Sequence, residues 1–125
     1  MDDLREAYEA FAQGNFDPFV NLLSPNVQWH LPGRSRYAGT TTSRDALFAR
    51  MLRQYEESDG TTSLEWVNGI ESGPLVAVAE RLRATRGERR MELDVVVVYR
   101  FEGQQVVEAW DIFGDQDLYD DFWGA

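Results

Sequence analysis

The chain of 125 residues contains no cysteine. That excludes a disulfide framework, a thiolate nucleophile and any zinc site built on sulfur. His30 is the only histidine, so one chain cannot assemble a multi-histidine metal site, and neither a metal nor another cofactor is expected. Basic residues are few. With 12 Lys+Arg against 22 Asp+Glu the formal net charge is -10, the reverse of the basic footprint that a phosphate backbone requires, and nucleic acid is excluded as a partner. No run approaches the ~18 apolar residues of a membrane span. The opening Met1-Asp2-Asp3-Leu4-Arg5-Glu6 lacks the basic start and apolar block of a secretory leader. A cytoplasmic protein without membrane contact is the expectation.

Aromatic residues, by contrast, are plentiful. Four Trp, seven Phe and five Tyr supply more large apolar area than a minimal helical domain needs, which suits a thick core or a ligand pocket. The length fits a single domain, residues 1–125.

Leu4, Ala7, Tyr8 and Phe11 recur at helical spacing, and Gly14 can close that helix. A second stripe, Phe16, Phe19, Val20 and Leu23, follows with Asp17 as its cap and Pro18 as its first residue, and Ser24-Pro25 ends it. Val27-Gln28-Trp29-His30-Leu31 alternates as a strand until Pro32-Gly33. Residues 32–43 read as a loop ending in Ser43, the N-cap of a helix from about Arg44 to Ser58 whose stripe is Leu47, Phe48, Met51, Leu52 and Tyr55. Four strands come next: Leu64–Val67, Leu75–Ala84, Met91–Phe101 and Val106–Phe113. The links at Asn68-Gly69, Ser72-Gly73-Pro74, Arg86-Gly87-Glu88 and Glu102-Gly103-Gln104 are too short for crossover helices, so these strands form an antiparallel meander. Val95–Tyr99 has no polar face, as a strand covered on both sides requires, and a homodimer could supply one cover. Asp115 caps a short last helix through Leu118, Tyr119 and Phe122. Helices on one face of a curved antiparallel sheet make an α+β fold.

One strand residue stands out chemically. Asp111 follows Trp110 inside the apolar run Val106–Phe113, and a buried carboxylate there needs a partner, a raised pKa or a function.

Three strings carry a family resemblance: Ala7-Tyr8-Glu9-Ala10-Phe11 to Gly14-Asn15-Phe16; Val27-Gln28-Trp29-His30-Leu31-Pro32-Gly33-Arg34-Ser35 to Tyr37-Ala38-Gly39; and Glu102-Gly103 through Val106-Val107-Glu108-Ala109-Trp110-Asp111 to Asp115-Gln116 and Phe122-Trp123. Over essentially its whole length the chain resembles the SnoaL-like, ketosteroid-isomerase-like branch of the NTF2-like superfamily. The resemblance implies a cystatin-like cone: a curved antiparallel sheet wrapped on N-terminal helices, with a short C-terminal helix and a mostly apolar pocket between the layers. It places His30, nine residues before Gly39, at the proton-abstracting position of the isomerases. It places Ala7 and Val97 where those isomerases keep oxyanion donors, so steroid isomerisation is disfavoured. Asp111 falls where SnoaL-type cyclases and limonene-epoxide-hydrolase-like enzymes keep a catalytic Asp. Glu80-Arg81-Leu82-Arg83 matches the hydrolase Arg at Arg81 but offers Arg83 in place of the second carboxylate.

The expected catalytic pair is therefore His30 and Asp111, exchanging protons with an apolar, polyketide-like substrate in a cyclisation, isomerisation, dehydration or epoxide opening. Arg81 or Arg83 would stabilise a developing oxyanion, and Trp29, Tyr37, Tyr55 and Trp110 would line the pocket. Other readings stand beside these. His30 can be a strand histidine bonded to a backbone carbonyl, Asp111 can pair with Arg81 or Arg83, Asp94 can pair with the same arginines, and Asp115 can be only a cap. The whole pocket can belong to a homodimeric binding module without turnover.

Overall fold

The computed structural model describes every residue from Met1 to Ala125. Helices α1 (Asp2–Ala12) and α2 (Asp17–Asn21) lead into β1 (Leu23–Leu31). The short β2 (Gly39–Thr41) and α3 (Arg44–Glu57) follow, then β3 (Ser63–Ser72), β4 (Leu75–Arg86), β5 (Arg89–Glu102), β6 (Gln105–Phe113) and α4 (Gln116–Trp123). The strands form one sheet in the order β2-β1-β6-β5-β4-β3. The helices pack on one of its faces. None of them is long and apolar enough to cross a membrane.

The meander β3–β6 is antiparallel as its short links demand. The sheet as a whole is mixed, however, because β1 pairs parallel with β6, placing His30 opposite Trp110. More than seventy residues separate those two strands, so link length does not constrain their direction. Asn68-Gly69 is not a turn. It lies within β3 beside a register shift between Trp66 and Asn68, and the turn comes at Gly73, whose φ is 57°. Gly69 is there for space: a Cβ would sit 2.5 Å from the Trp66 ring.

Helix α2 is shorter than its apolar stripe. Asp17 is its first residue rather than its cap, and β1 begins at Leu23. Pro25 falls where β1 is off the β6 ladder, between the pairs Leu23–Val106 and Gln28–Glu108, a place that tolerates a missing N–H. The loop 32–43 contains β2, antiparallel to the end of β1.

Ser43 and Asp115 cap as expected, accepting from the N–H groups of Ala46 (3.1 Å) and Leu118 (3.0 Å). The other end of α4 is held by arginines: Arg86 donates to the carbonyls of Phe122 and Trp123, and Arg89 to that of Asp121, cations at the negative end of the helix. Asp115→Ala should cost about 1 kcal/mol, read as a lower urea midpoint with an unchanged slope.

Alternation decides what reaches the core. On β4 the inward residues are Val76, Val78, Glu80, Leu82 and Ala84, and on β5 they are Met91, Leu93, Val95, Val97 and Tyr99. The opposite face carries two apolar rows, Ala77–Val98–Trp110 and Ala79–Val96–Ile112. Charged residues border these rows: Arg100 and Glu108 on one side, Arg81 and Asp94 on the other. Val96 is 37% and Ile112 53% exposed. Val95–Tyr99 thus has one face in the core and one on this apolar band.

Candidate functional site

A cavity of about 90 Å3 lies between the sheet and the helices. Its walls are mostly apolar: Phe11 and Phe19 come from α1 and α2, Leu82 and Val97 from the central strands, Phe113 from β6 and Trp123 from α4. Space of that size holds on the order of six water molecules, enough for a small ring system.

Into this apolar lining the chain sets several polar groups. Asp111 occupies an inward position on β6, opposite Val97, and Trp29 Nε1 donates to its Oδ2 over 2.7 Å. Burial raises the Asp111 pKa, against the opposing pull of Arg50 and of the Trp29 N–H. Asp111 keeps some accessible surface because it borders the cavity. Glu80, 5% exposed, is the second carboxyl. Burial is the main cause of its pKa being pushed up to about 8, the Asp111 charge adding to the shift and the Tyr8 hydroxyl opposing it. It is therefore mostly protonated at neutral pH, with Oε2 buried and unpartnered.

The Tyr8 and Tyr99 hydroxyls lie 2.5 Å apart. Burial holds both well above the ordinary tyrosine range, so both keep their protons. The Tyr119 hydroxyl accepts from Gln54 Nε2 at 3.0 Å. Arg50 also borders the cavity, and its Nε and Nη1 are buried without a hydrogen-bond partner. No three His, Asp or Glu side chains gather as metal ligands.

Of the residues singled out in the sequence, Asp111 and Trp29 line this cavity. His30 does not join them. Trp29 points inward, so the next side chain along the strand points out. There His30 Nδ1 lies 2.8 Å from Thr40 Oγ1, Nε2 lies 2.6 Å from Glu108 Oε2, and the ring stacks on Trp110 at 5.5 Å. Its hydrogen bond, followed by that of Arg100, holds the Glu108 carboxyl below its usual range. The sheet therefore separates His30 and Trp110 from Asp111.

Arg81 and Arg83 also face outward. Arg81 bonds Asp94 and Glu92, and Arg83 bonds Glu65, so neither neutralises Asp111 or reaches the cavity, while the Asp94 pairing forms as expected. Tyr37 stands edge-on to Trp123 and donates to Glu57. Tyr55 packs edge-on to Phe16. Both lie outside the cavity lining.

Tyr8, Arg50, Glu80 and Tyr99 also border the cavity, and no motif in the sequence marks them as site residues. Ala7 and Val97 offer no donor, as counted, but hydroxyls arrive from the neighbouring Tyr8 and from Tyr99. Glu80 was legible as the one charge among Val76, Val78, Leu82 and Ala84. Arg50 was hidden because the helix presents Leu47, Arg50, Met51 and Gln54 inward and leaves Phe48 and Leu52 half-buried.

The SnoaL-like domain model matches residues 4–109, and the chain belongs to that family, within the NTF2-like fold. An uncharacterized protein of Mycobacterium tuberculosis (strain ATCC 25618 / H37Rv) is 26% identical, with 98% of this chain and 95% of that protein covered. Bal32a, from a soil-derived mobile gene cassette, is 31% identical with a TM-score of 0.93, covering 98% of this chain and 95% of its own. IdmH of Streptomyces antibioticus, a proposed polyketide cyclase, shares the fold at 21% identity and a TM-score of 0.72, with 90% of each chain covered.

Proposed function

We propose that the cavity is an acid/base site, worked by side chains alone, for a small apolar molecule carrying a carbonyl or epoxide oxygen. The observation that carries this reading is Asp111: a carboxylate on the wall of an apolar cavity, fixed by Trp29 and paired with no arginine. Asp111 would remove a proton from carbon or from water, and protonated Glu80 with the Tyr8–Tyr99 pair would donate to the oxygen that gains charge. Hydroxyl and carboxyl donors preorganised in an apolar enclosure act more strongly than in water. Cyclisation, isomerisation, dehydration and epoxide opening all need this division of labour, and the fold shared with IdmH favours a polyketide-like substrate.

A binding module without turnover is the alternative. It draws on the same Trp29 bond, which already occupies one Asp111 oxygen. A panel of polyketide-like carbonyl compounds and epoxides separates the two, with conversion and solvent deuterium incorporation followed by NMR. Conversion or exchange of at least one compound supports catalysis; saturable binding with neither establishes the module instead.

The homodimer belongs to the same proposal. Two apolar rows between charged borders have the layout of an interface core and rim. Ile112→Arg is expected to shift a dimer mass to that of a monomer in native mass spectrometry; a wild-type monomer would refute this part.

A further inference from the structure

Among the arginines, Arg50 is singular. Arg5, Arg34, Arg36, Arg81, Arg83, Arg86 and Arg100 each meet a carboxylate. Arg44, Arg53, Arg89 and Arg90 make no ion pair, and neither does Arg50, but Arg50 alone has guanidinium nitrogens buried without a hydrogen-bond partner. It sits at a core position of α3, three residues after the wholly buried Leu47. Two of its nitrogens are closed off from solvent without a partner. A guanidinium with two of its three nitrogens withheld from water and no counter-charge in ion-pair contact is costly, and a sequence that served only stability would place an apolar side chain there.

We propose that Arg50 anchors a ligand's anionic group, so that the cavity takes small cyclic acids whose delocalised oxygen anion (a carboxylate or an ionised enol) meets the guanidinium. This rests on the cavity being the ligand site and is independent of turnover. A planar oxygen anion matches the fixed fork of arginine donors, and the ring would pack on the apolar wall formed by Phe19, Leu82, Val97 and Phe113. A neutral ketone would leave the guanidinium charge without a counter-charge.

The other titratable groups around the cavity define a further consequence. They are Tyr8 on α1, Glu80 on β4, Tyr99 on β5, Asp111 on β6 and Tyr119 on α4. The tyrosines are protonated, Glu80 is mostly so, and Asp111 is the group that carries the remaining negative charge when it is ionised. A ligand anion entering beside Asp111 makes two negative charges against one positive, which favours the protonated carboxyl. Binding therefore takes up a proton, and affinity falls as pH rises through the range in which Asp111 and Glu80 lose theirs.

Calorimetric titration of the full chain tests this with benzoate and cinnamate against benzamide and cinnamamide as neutral counterparts. Each acid should bind at least about tenfold tighter than its amide at pH 6, with proton uptake read from the difference between phosphate and Tris buffers at pH 7. Arg50→Met should bring the acids down to the level of the amides, and Arg50→Lys should keep part of the preference. Arg83→Met, on the outer face, should change nothing. Arg50→Met should also melt no lower than the wild type, and if it fails to fold, Arg50→Gln and Arg50→Lys carry the comparison. Equal affinity for acid and amide, no millimolar binding of either acid, or an acid preference that survives loss of the Arg50 charge would overturn the proposal. Acid binding without chemical conversion would instead count against catalysis and leave the anchor standing.

Discussion

Asp111→Asn is expected to lower turnover by roughly 10²- to 10⁴-fold, the usual contribution of a positioned general base, while the fold survives. The amide keeps the shape of the carboxylate and an oxygen to accept from Trp29 Nε1, so the bond seen at 2.7 Å can persist. Only proton uptake is lost. The pH profile of kcat/KM in the wild type should fall on the acid side at a pH above the ordinary carboxylate range, because burial raises the Asp111 pKa. It should fall again near pH 8, where Glu80 ionises, losing a donor and setting a second negative charge near the base. Glu80→Gln should remove the alkaline limb and keep the acid one. A profile with no limb near pH 8 in the wild type would exclude Glu80 from the chemistry.

The second large effect concerns stability. In the unfolded chain Glu80 ionises near its ordinary value of 4.5, and in the folded protein only near 8. Below pH 4.5 the residue is protonated in both states and its contribution is fully present. Between pH 4.5 and 8 the unfolded state ionises first, so stability drains away as pH rises, and above pH 8 the loss is complete. The size of the loss is on the order of 5 kcal/mol. Glu80→Gln carries no proton to lose. It should match the wild type within about 1 kcal/mol near pH 5 and exceed it by several at pH 9, measured as urea unfolding free energies at both values. Parallel curves for the two proteins across that range would show that Glu80 ionises freely when folded.

Three neighbouring pairs show what the sequence made legible and what it withheld: Trp29 and His30, Glu80 and Arg81, Trp110 and Asp111. In each pair one side chain faces the cavity and the other the outside of the sheet. Period-two alternation tells which residues of one strand share a face. It does not tell which face is inside when both carry aromatic and charged groups. The inner members Trp29 and Asp111 were identified, but so were the outer His30, Arg81 and Trp110, because family distance and charge pattern marked them. Register across strands resolves the ambiguity, since Asp111 stands opposite the buried Val97 and His30 beside Trp110.

The helix stripe failed for a related reason. Apolar spacing on α3 favoured Phe48, Leu52 and Tyr55, yet a cavity can hold Arg50 and Gln54 inward at a position where a packed core would refuse them. Most elements, the caps of α3 and α4 and the meander were readable because each rests on local chemistry: Ser43 before Arg44, Asp115 before Gln116, glycine at position 73; the cap of α2 and the short β2 were not. The parallel β1–β6 pairing was not, because it joins distant parts of the chain.

Whether the proposed chemistry belongs to Asp111 inside the cavity and not to His30 on the outer face is tested most directly by measuring Asp111→Asn and His30→Ala side by side on whichever panel compound the wild type converts. The prediction is a loss of at least about 100-fold for Asp111→Asn, with His30→Ala staying within about threefold of the wild type once both are compared in the same oligomeric state. A His30→Ala variant as impaired as Asp111→Asn, or an Asp111→Asn variant with full activity, would contradict the account.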